Sequence, residues 1–162
     1  MRPGRASVDA IEAVYVERGA DFLRLALART GNPERARDAL QEGFARAIRS
    51  RHTFRGFGTL EAWICRCVLN AARDSARAAF LENSFTETAN PAVEVPDEPD
   101  ATIRAAVLRL PQRQRDAVFL RHYLDFDYAT IAQTLEIEIG TVSALLHAAR
   151  RTLARALEEV LL

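Results

Sequence analysis

The side chains that most often carry catalysis or metal chemistry are sparse in this chain: three histidines, His52, His122 and His147, and two cysteines, Cys65 and Cys67. The histidines lie on separate segments, and none has a partner at the H-x-x-x-H or H-x-x-E spacing that aligns ligands on one helix face, so no metal site is expected. Residues two apart on a helix point to nearly opposite sides. Cys65 and Cys67 in "AWICRCVLN" therefore cannot share a metal or form a disulfide without unwinding the helix, and they read as thiols of a reducing compartment. With no convergent acid, base or metal site, an enzyme is disfavoured and no cofactor is expected.

What remains is recognition chemistry, in three sets of residues. Asp38, Gln41 and Glu42, with Ala45 and Arg49, line one face of a helical pattern whose other face holds Leu40, Phe44, Ala47 and Ile48. Arg66, Arg73 and Arg77 fall mainly outside the apolar stripe Leu60, Trp63, Ile64, Cys67, Val68 and Ala71, and Asn70 sits among them. In the last helical pattern Val142, Leu146, Ala149, Leu153, Leu157 and Val160 form one inward stripe. At about 100° per residue, Ser143, Ala144, His147, Ala148, Arg151 and Arg155 point away from it. Each of these faces, taken alone, is also what a solvated helix surface looks like.

The elements that must position them read as helices throughout. Val8, Ile11, Val14 and Tyr15, then Phe22, Leu25 and Ala26, recur at helical spacing as far as "TGNP". There Gly31 can end one helix, and Asn32 with Pro33 can begin the next. The two glycines of "FRGFG" make a turn, after which Thr59 is placed to cap the helix carrying Trp63. Trp63 is in phase with the apolar stripe and reads as core, whereas Phe54 and Phe57 sit in the glycine loop. Later, "IRAAVLRL" is a short helix, Pro111 starts another, Asp127 can cap "YATIAQTL", and "EIEI" is a turn before a final helix capped by Thr141. A helix, a short turn and a second helix with an exposed N-terminal face is the helix-turn-helix arrangement, in which the second helix enters the major groove. A helical hairpin with no nucleic-acid role has the same pattern.

The 162 residues, 49% apolar and 27% charged, are enough for one compact domain or two small helical ones. No run of about 18 apolar residues exists and the N-terminus lacks the apolar stretch of a secretion signal, so a cytoplasmic protein with no membrane contact is expected. Net charge is zero but unevenly spread. Residues 1–79 carry 14 Arg against 9 acidic residues, residues 80–102 carry 6 acidic residues and no base, and residues 103–162 carry 8 Arg against 7 acidic residues. The acidic strip also holds Pro91, Pro96 and Pro99 and shows no sustained helical period, so it reads as a linker. The expectation is an all-α chain of two small helical domains, residues 8–80 and 102–162, joined by a linker at 81–101, with the C-terminal domain a helix-turn-helix.

Taken in order, the segments resemble a family. "RARDALQEGFARAI", "FRGFGTLEAWICRCVLNAARDSAR" and "LRLPQRQRDAVFLRHYLDFDYATIAQTLEIEIGTVSALLHAAR" are similar to the D-x-V-Q-E-x-F-x-R-A, F-R-G…W-L-x-R-I-x-x-N…D and L-P-x-x-x-R…I-A-x-x-L-G-I-x-x-G-T-V segments of bacterial RNA polymerase sigma factors of the extracytoplasmic-function type. The likeness covers nearly everything except the first few residues and the linker.

The resemblance implies a non-enzymatic factor that binds core RNA polymerase and directs it to promoter DNA, with an anti-sigma factor as a further candidate partner. Asp38, Gln41 and Glu42 match the positions that dock on the coiled-coil clamp of the largest polymerase subunit. Asn70 matches the family Asn near the loop that captures a base flipped from the minus-ten element, and Arg66, Arg73 and Arg77 would track that strand's phosphates. Thr141, Ser143, Ala144, His147 and Arg151 would face the minus-thirty-five element, Thr141 and the helix N-terminus holding a phosphate. The linker's acids would mimic nucleic-acid phosphates in the polymerase's RNA channel.

The chain departs from the family at several positions. Ser143, Leu145 and Ala148 stand where Lys or Arg is frequent, Glu136 replaces the usual turn glycine, and no acidic residue follows Tyr128 before Ile131. Direct reading of the upstream element is accordingly expected to be shallow or shape-based. The alternative is a stand-alone helix-turn-helix regulator that binds operators without polymerase.

Overall fold

The computed structural model describes residues 6–83 and 101–161, and among these all regular structure is helical. The chain divides into two compact units, Met1–Ala92 and Val93–Leu162. Of the expected linker at 81–101, residues 81–83 belong to the helix Leu60–Asn83 and residue 101 opens the helix Ala101–Leu108, while residues 84–100, with the linker acids Glu94, Asp97, Glu98 and Asp100, lie outside the described residues.

The first unit is built from α1 (Val8–Thr30), α2 (Pro33–Arg49), a 3-10 turn at Arg51–Thr53, and α3 (Leu60–Asn83). Its boundaries are chemical. The Ser7 hydroxyl accepts from the Ala10 amide to open α1, and Gly31 closes it in the left-handed region at φ 66°. The Asn32 side chain accepts from the amides of Glu34 and Arg35, with Pro33 at the first helical position of α2. Thr59 accepts from the Ala62 amide before α3. The three helices pack pairwise around Ile11, Phe22, Leu25, Ile64 and Val68, all fully buried, with Trp63 also buried.

One position sets the distance between two of these helices. A Cβ at Gly43 would fall 2.5 Å from the Val68 Cα, so α2 and α3 approach backbone to backbone there. Several expected core residues are less buried than their periodicity implies: Val8 and Tyr15 are exposed on α1, and Ile48 on α2. Three helices enclose only a narrow seam, and residues at the edge of an apolar stripe fall at its rim. Tyr15 still meets the Phe44 ring edge-on at 5.0 Å. Helix α3 runs three residues past the expected boundary at 80, and Arg35 of α2 reaches this extension through an ion pair to Glu82 at 2.8 Å.

The second unit holds α4 (Ala101–Leu108), α5 (Gln112–His122), α6 (Tyr128–Leu135) and α7 (Ile139–Leu161), with α7 packed against the other three. Leu120, Leu124, Ile131, Val142 and Leu146 are its largest fully buried apolar residues. Thr134 is buried among them because its hydroxyl donates to the Thr130 carbonyl at 2.8 Å. Asp127 caps α6 as expected, accepting from the Thr130 amide at 2.7 Å. Thr141 does not cap α7. The helix begins two residues earlier, at Ile139, and the Glu138 carbonyl accepts from the amides of Thr141 and Val142, which leaves Thr141 in the first turn. The turn between α6 and α7 is thus only Glu136 to Glu138, and Glu136 holds φ at 56°, a left-handed conformation that costs a side-chain-bearing residue about 1–2 kcal/mol.

Candidate nucleic-acid and polymerase interfaces

Asp38, Gln41 and Glu42 lie within a single arc of α2, opposite the buried residues Ala36, Ala39, Leu40, Gly43, Phe44 and Ala47. Asp38 and Gln41 are exposed and Glu42 is half-buried. The Glu42 carboxylate accepts from Arg46 Nε and from an Arg49 guanidinium nitrogen, both at 3.0 Å. Those two hydrogen bonds, Arg46 first, hold its carboxyl below the ordinary range. Arg46 also donates to Asp74 of α3 at 3.1 Å, so a charge chain Arg49–Glu42–Arg46–Asp74 braces the polar face of α2 against α3. Sequence reasoning passed over Arg46 and Asp74. The spacing of Glu42 and Arg46, four apart, was a readable signal, whereas the partnership with Asp74 exists only once α2 and α3 pack.

On α3, Arg66, Asn70, Arg73 and Arg77 step by four, three and four and so share one face, about 120° from the buried stripe. Arg66 and Asn70 are half-buried, and Arg73 and Arg77 are exposed. The loop before α3 places Phe54 against Trp63, with ring centroids 5.5 Å apart, and leaves Phe57 82% exposed between Gly56 and Gly58, both at positive φ. Trp63 is core, as its phase requires. Cys65 is buried and Cys67 half-buried without a disulfide, and burial pushes the Cys67 thiol above its ordinary value.

On α7 the inward stripe Val142, Leu146 and Ala149 is buried, and Leu153 and Leu157 are half-buried. Thr141, Ser143, Ala144, His147 and Arg151 are all exposed, with Leu145 half-buried on the flank. Ile139, left in the turn by sequence reasoning, is 53% exposed at the front of the same helix. His52 lies in the 3-10 turn, His122 at the end of α5 and His147 on α7, and among the described residues no cluster of His, Cys, Asp and Glu is suited to a metal. No helix among them is long and apolar enough to cross a membrane.

Comparison with known proteins gives these faces a context. Residues 15–79 match the family described as Sigma-70 region 2, and residues 100–153 match Sigma-70, region 4. The chain is 30% identical over 168 residues to the ECF RNA polymerase sigma factor SigL of Mycobacterium tuberculosis, covering 97% of this chain and 95% of that protein. It is 26% identical over 160 residues to the RNA polymerase sigma factor YlaC of Bacillus subtilis, covering 91% of each. The fold is that of the sigma factor RpoE solved in complex with the anti-sigma factor NepR from Bartonella quintana, with a TM-score of 0.75 at 20% identity over 93% of this chain and 98% of that one. Two region matches in chain order, and near full-length identity to SigL at this level, show that the chain belongs to the ECF RNA polymerase sigma factors.

Proposed function

We propose that this sigma factor engages polymerase and promoter through the three faces described above. Residues 8–80 act as the region that docks on core polymerase and takes up the minus-ten element, residues 81–101 as the linker, and residues 102–162 as the region that meets the minus-thirty-five element. Asp38, Gln41 and Glu42 dock on the clamp coiled coil of the largest polymerase subunit. Asn70 accepts and donates at the edge of a base flipped from the non-template strand, while Arg66, Arg73 and Arg77 follow the strand's phosphates. The exposed face of α7, with Thr141, Ser143, Ala144, His147 and Arg151, lies in the upstream major groove.

The observation that carries this reading is the face of α2, where Asp38, Gln41 and Glu42 align opposite the core on a helix otherwise committed to packing. The chain is not an enzyme: polymerase supplies the chemistry, and the factor works in the cytoplasm where polymerase and promoters are. The likeness to RpoE, solved in complex with the anti-sigma factor NepR, supports an anti-sigma factor as a further partner.

The test is capture of core polymerase by the intact chain and by the variant Asp38→Ala, Gln41→Ala, Glu42→Ala. The variant should lose capture while its Trp63 fluorescence and helical content stay native. Undiminished capture would overturn the docking assignment. The alternative, an operator-binding regulator independent of polymerase, has no use for the α2 face and predicts tight DNA binding by the free chain.

A further inference from the structure

The exposed surface of α7 has an unusual chemistry for a helix that meets DNA. From Ile139 to Ala149 no residue carries a guanidinium, an ammonium, an amide or a carboxylate, and the first arginine is Arg150. Bidentate recognition of guanine or adenine needs Arg, Lys, Asn or Gln, so the first turns of α7 cannot make it. They offer two rows instead. Thr141, Ala144 and Ala148, spaced three and four apart, present methyl groups within an arc of about 60°. Ser143 and His147, four apart, form a neighbouring row of single hydrogen-bonding groups. Gly140, just ahead of these rows, has open space where a Cβ would be, so nothing on the helix itself holds a partner away there.

Among the features that base pairs display in the major groove, the one complementary to a methyl row is the thymine 5-methyl group, for which Ala and the Thr methyl are suitable contacts. The exposed Arg150 and Arg151 beyond the rows supply the positive charge that seats a helix on phosphates. We infer that Thr141, Ala144 and Ala148 read thymine methyl groups in the upstream promoter element, which makes this factor selective for thymines there without a bidentate base contact. The inference rests on the proposal that α7 is the helix that meets upstream DNA. It also fixes the scale of the selectivity, because burial of one methyl group corresponds to about fourfold in affinity.

The experiment uses holoenzyme assembled from the full chain and bacterial core RNA polymerase. An upstream element is selected from a library randomised there on a fixed downstream element, and each selected thymine is then replaced by deoxyuridine, which removes the methyl and leaves the pairing edge intact. Open-complex formation should fall about fourfold at two or three neighbouring thymines, and Ala144→Gly should abolish the thymine–deoxyuridine difference at one of them. Because the decisive change is in the DNA, protein folding cannot mimic the result. Selection of guanines or adenines with no effect of deoxyuridine would overturn the inference while leaving α7 as the upstream helix. Holoenzyme indifferent to the whole upstream element, with no α7 contact to it, would overturn that underlying reading too.

Discussion

At Gly43 the missing side chain is the structural feature. Any Cβ there meets the Val68 Cα at 2.5 Å and its amide nitrogen at 2.8 Å, backbone atoms that cannot turn aside. Gly43→Ala should therefore force α2 and α3 apart. Overpacking of about 3 kcal/mol outweighs about 1 kcal/mol of improved helix propensity, for a net loss of about 2 kcal/mol. Trp63, the sole tryptophan, is buried in this unit, so its fluorescence during urea unfolding reports the change directly. Glu136 shows the opposite case, a side chain where the backbone favours none. Comparing Glu136→Gly with Glu136→Ala isolates the backbone term, since neither keeps the carboxylate. The glycine variant should be the more stable by about 1 kcal/mol, measured by hydrogen exchange of α6 and α7 amides. An alanine variant of equal stability would mean that the turn relaxes out of the left-handed region.

At the scale of the element, α6 depends on the cap at its first turn. Asp127 accepts from the Thr130 hydroxyl and amide, and these bonds hold its carboxyl below the ordinary aspartate value. Its folded pKa is thus lower than its unfolded one, so the stabilisation is present above the unfolded value of about 3.9 and is lost as pH falls through the folded value. The stability advantage of the native chain over Asp127→Asn, followed by circular dichroism, should shrink on acidification below about pH 4. An advantage that grows on acidification would show that the cap is not ionised. For α7, the absence of bidentate readers from its first turns, Ile139 to Ala149, predicts unequal selectivity. Transcription from libraries randomised separately at the two promoter elements should show a shallow preference upstream and a sharper one downstream, where Asn70 can pair both its donor and its acceptor with a base edge. The reverse order would mean that α7 reads bases in a way its exposed side chains do not provide for.

For the whole molecule, charge sets the terms of DNA binding. A chain of net charge zero and pI near 6.8 releases few counterions on duplex DNA and gains little from them. The free protein should give no tight, sequence-specific gel shift at physiological salt, whereas the same chain with core polymerase should. Tight specific shifts by the free chain would favour the stand-alone regulator.

The division between what was legible in the residues and what was not follows the range of the interactions involved. Local chemistry was readable: Gly31, Asn32 with Pro33, Thr59 and Asp127 punctuate the helices because caps involve groups within a few residues of one another. That Asp38, Gln41 and Glu42, then Arg66, Asn70, Arg73 and Arg77, then Ser143, Ala144 and His147 each share a helix face turned from the core was readable as well, since a helical face is fixed by periodicity alone. At the front of α7 the local reading failed. Thr141 looks like a cap, yet Glu138 provides the capping carbonyl, because burial of Val142 and Leu146 against the rest of the unit lets the helix start earlier. Chain folding alone settled the rest. Which edges of the stripes stay exposed at Val8, Tyr15 and Ile48, the backbone contact at Gly43, and the bond from Arg46 to Asp74 across α2 and α3 each need a second helix at a definite distance and angle. A linear pattern specifies the face a helix presents, and only packing specifies what that face meets.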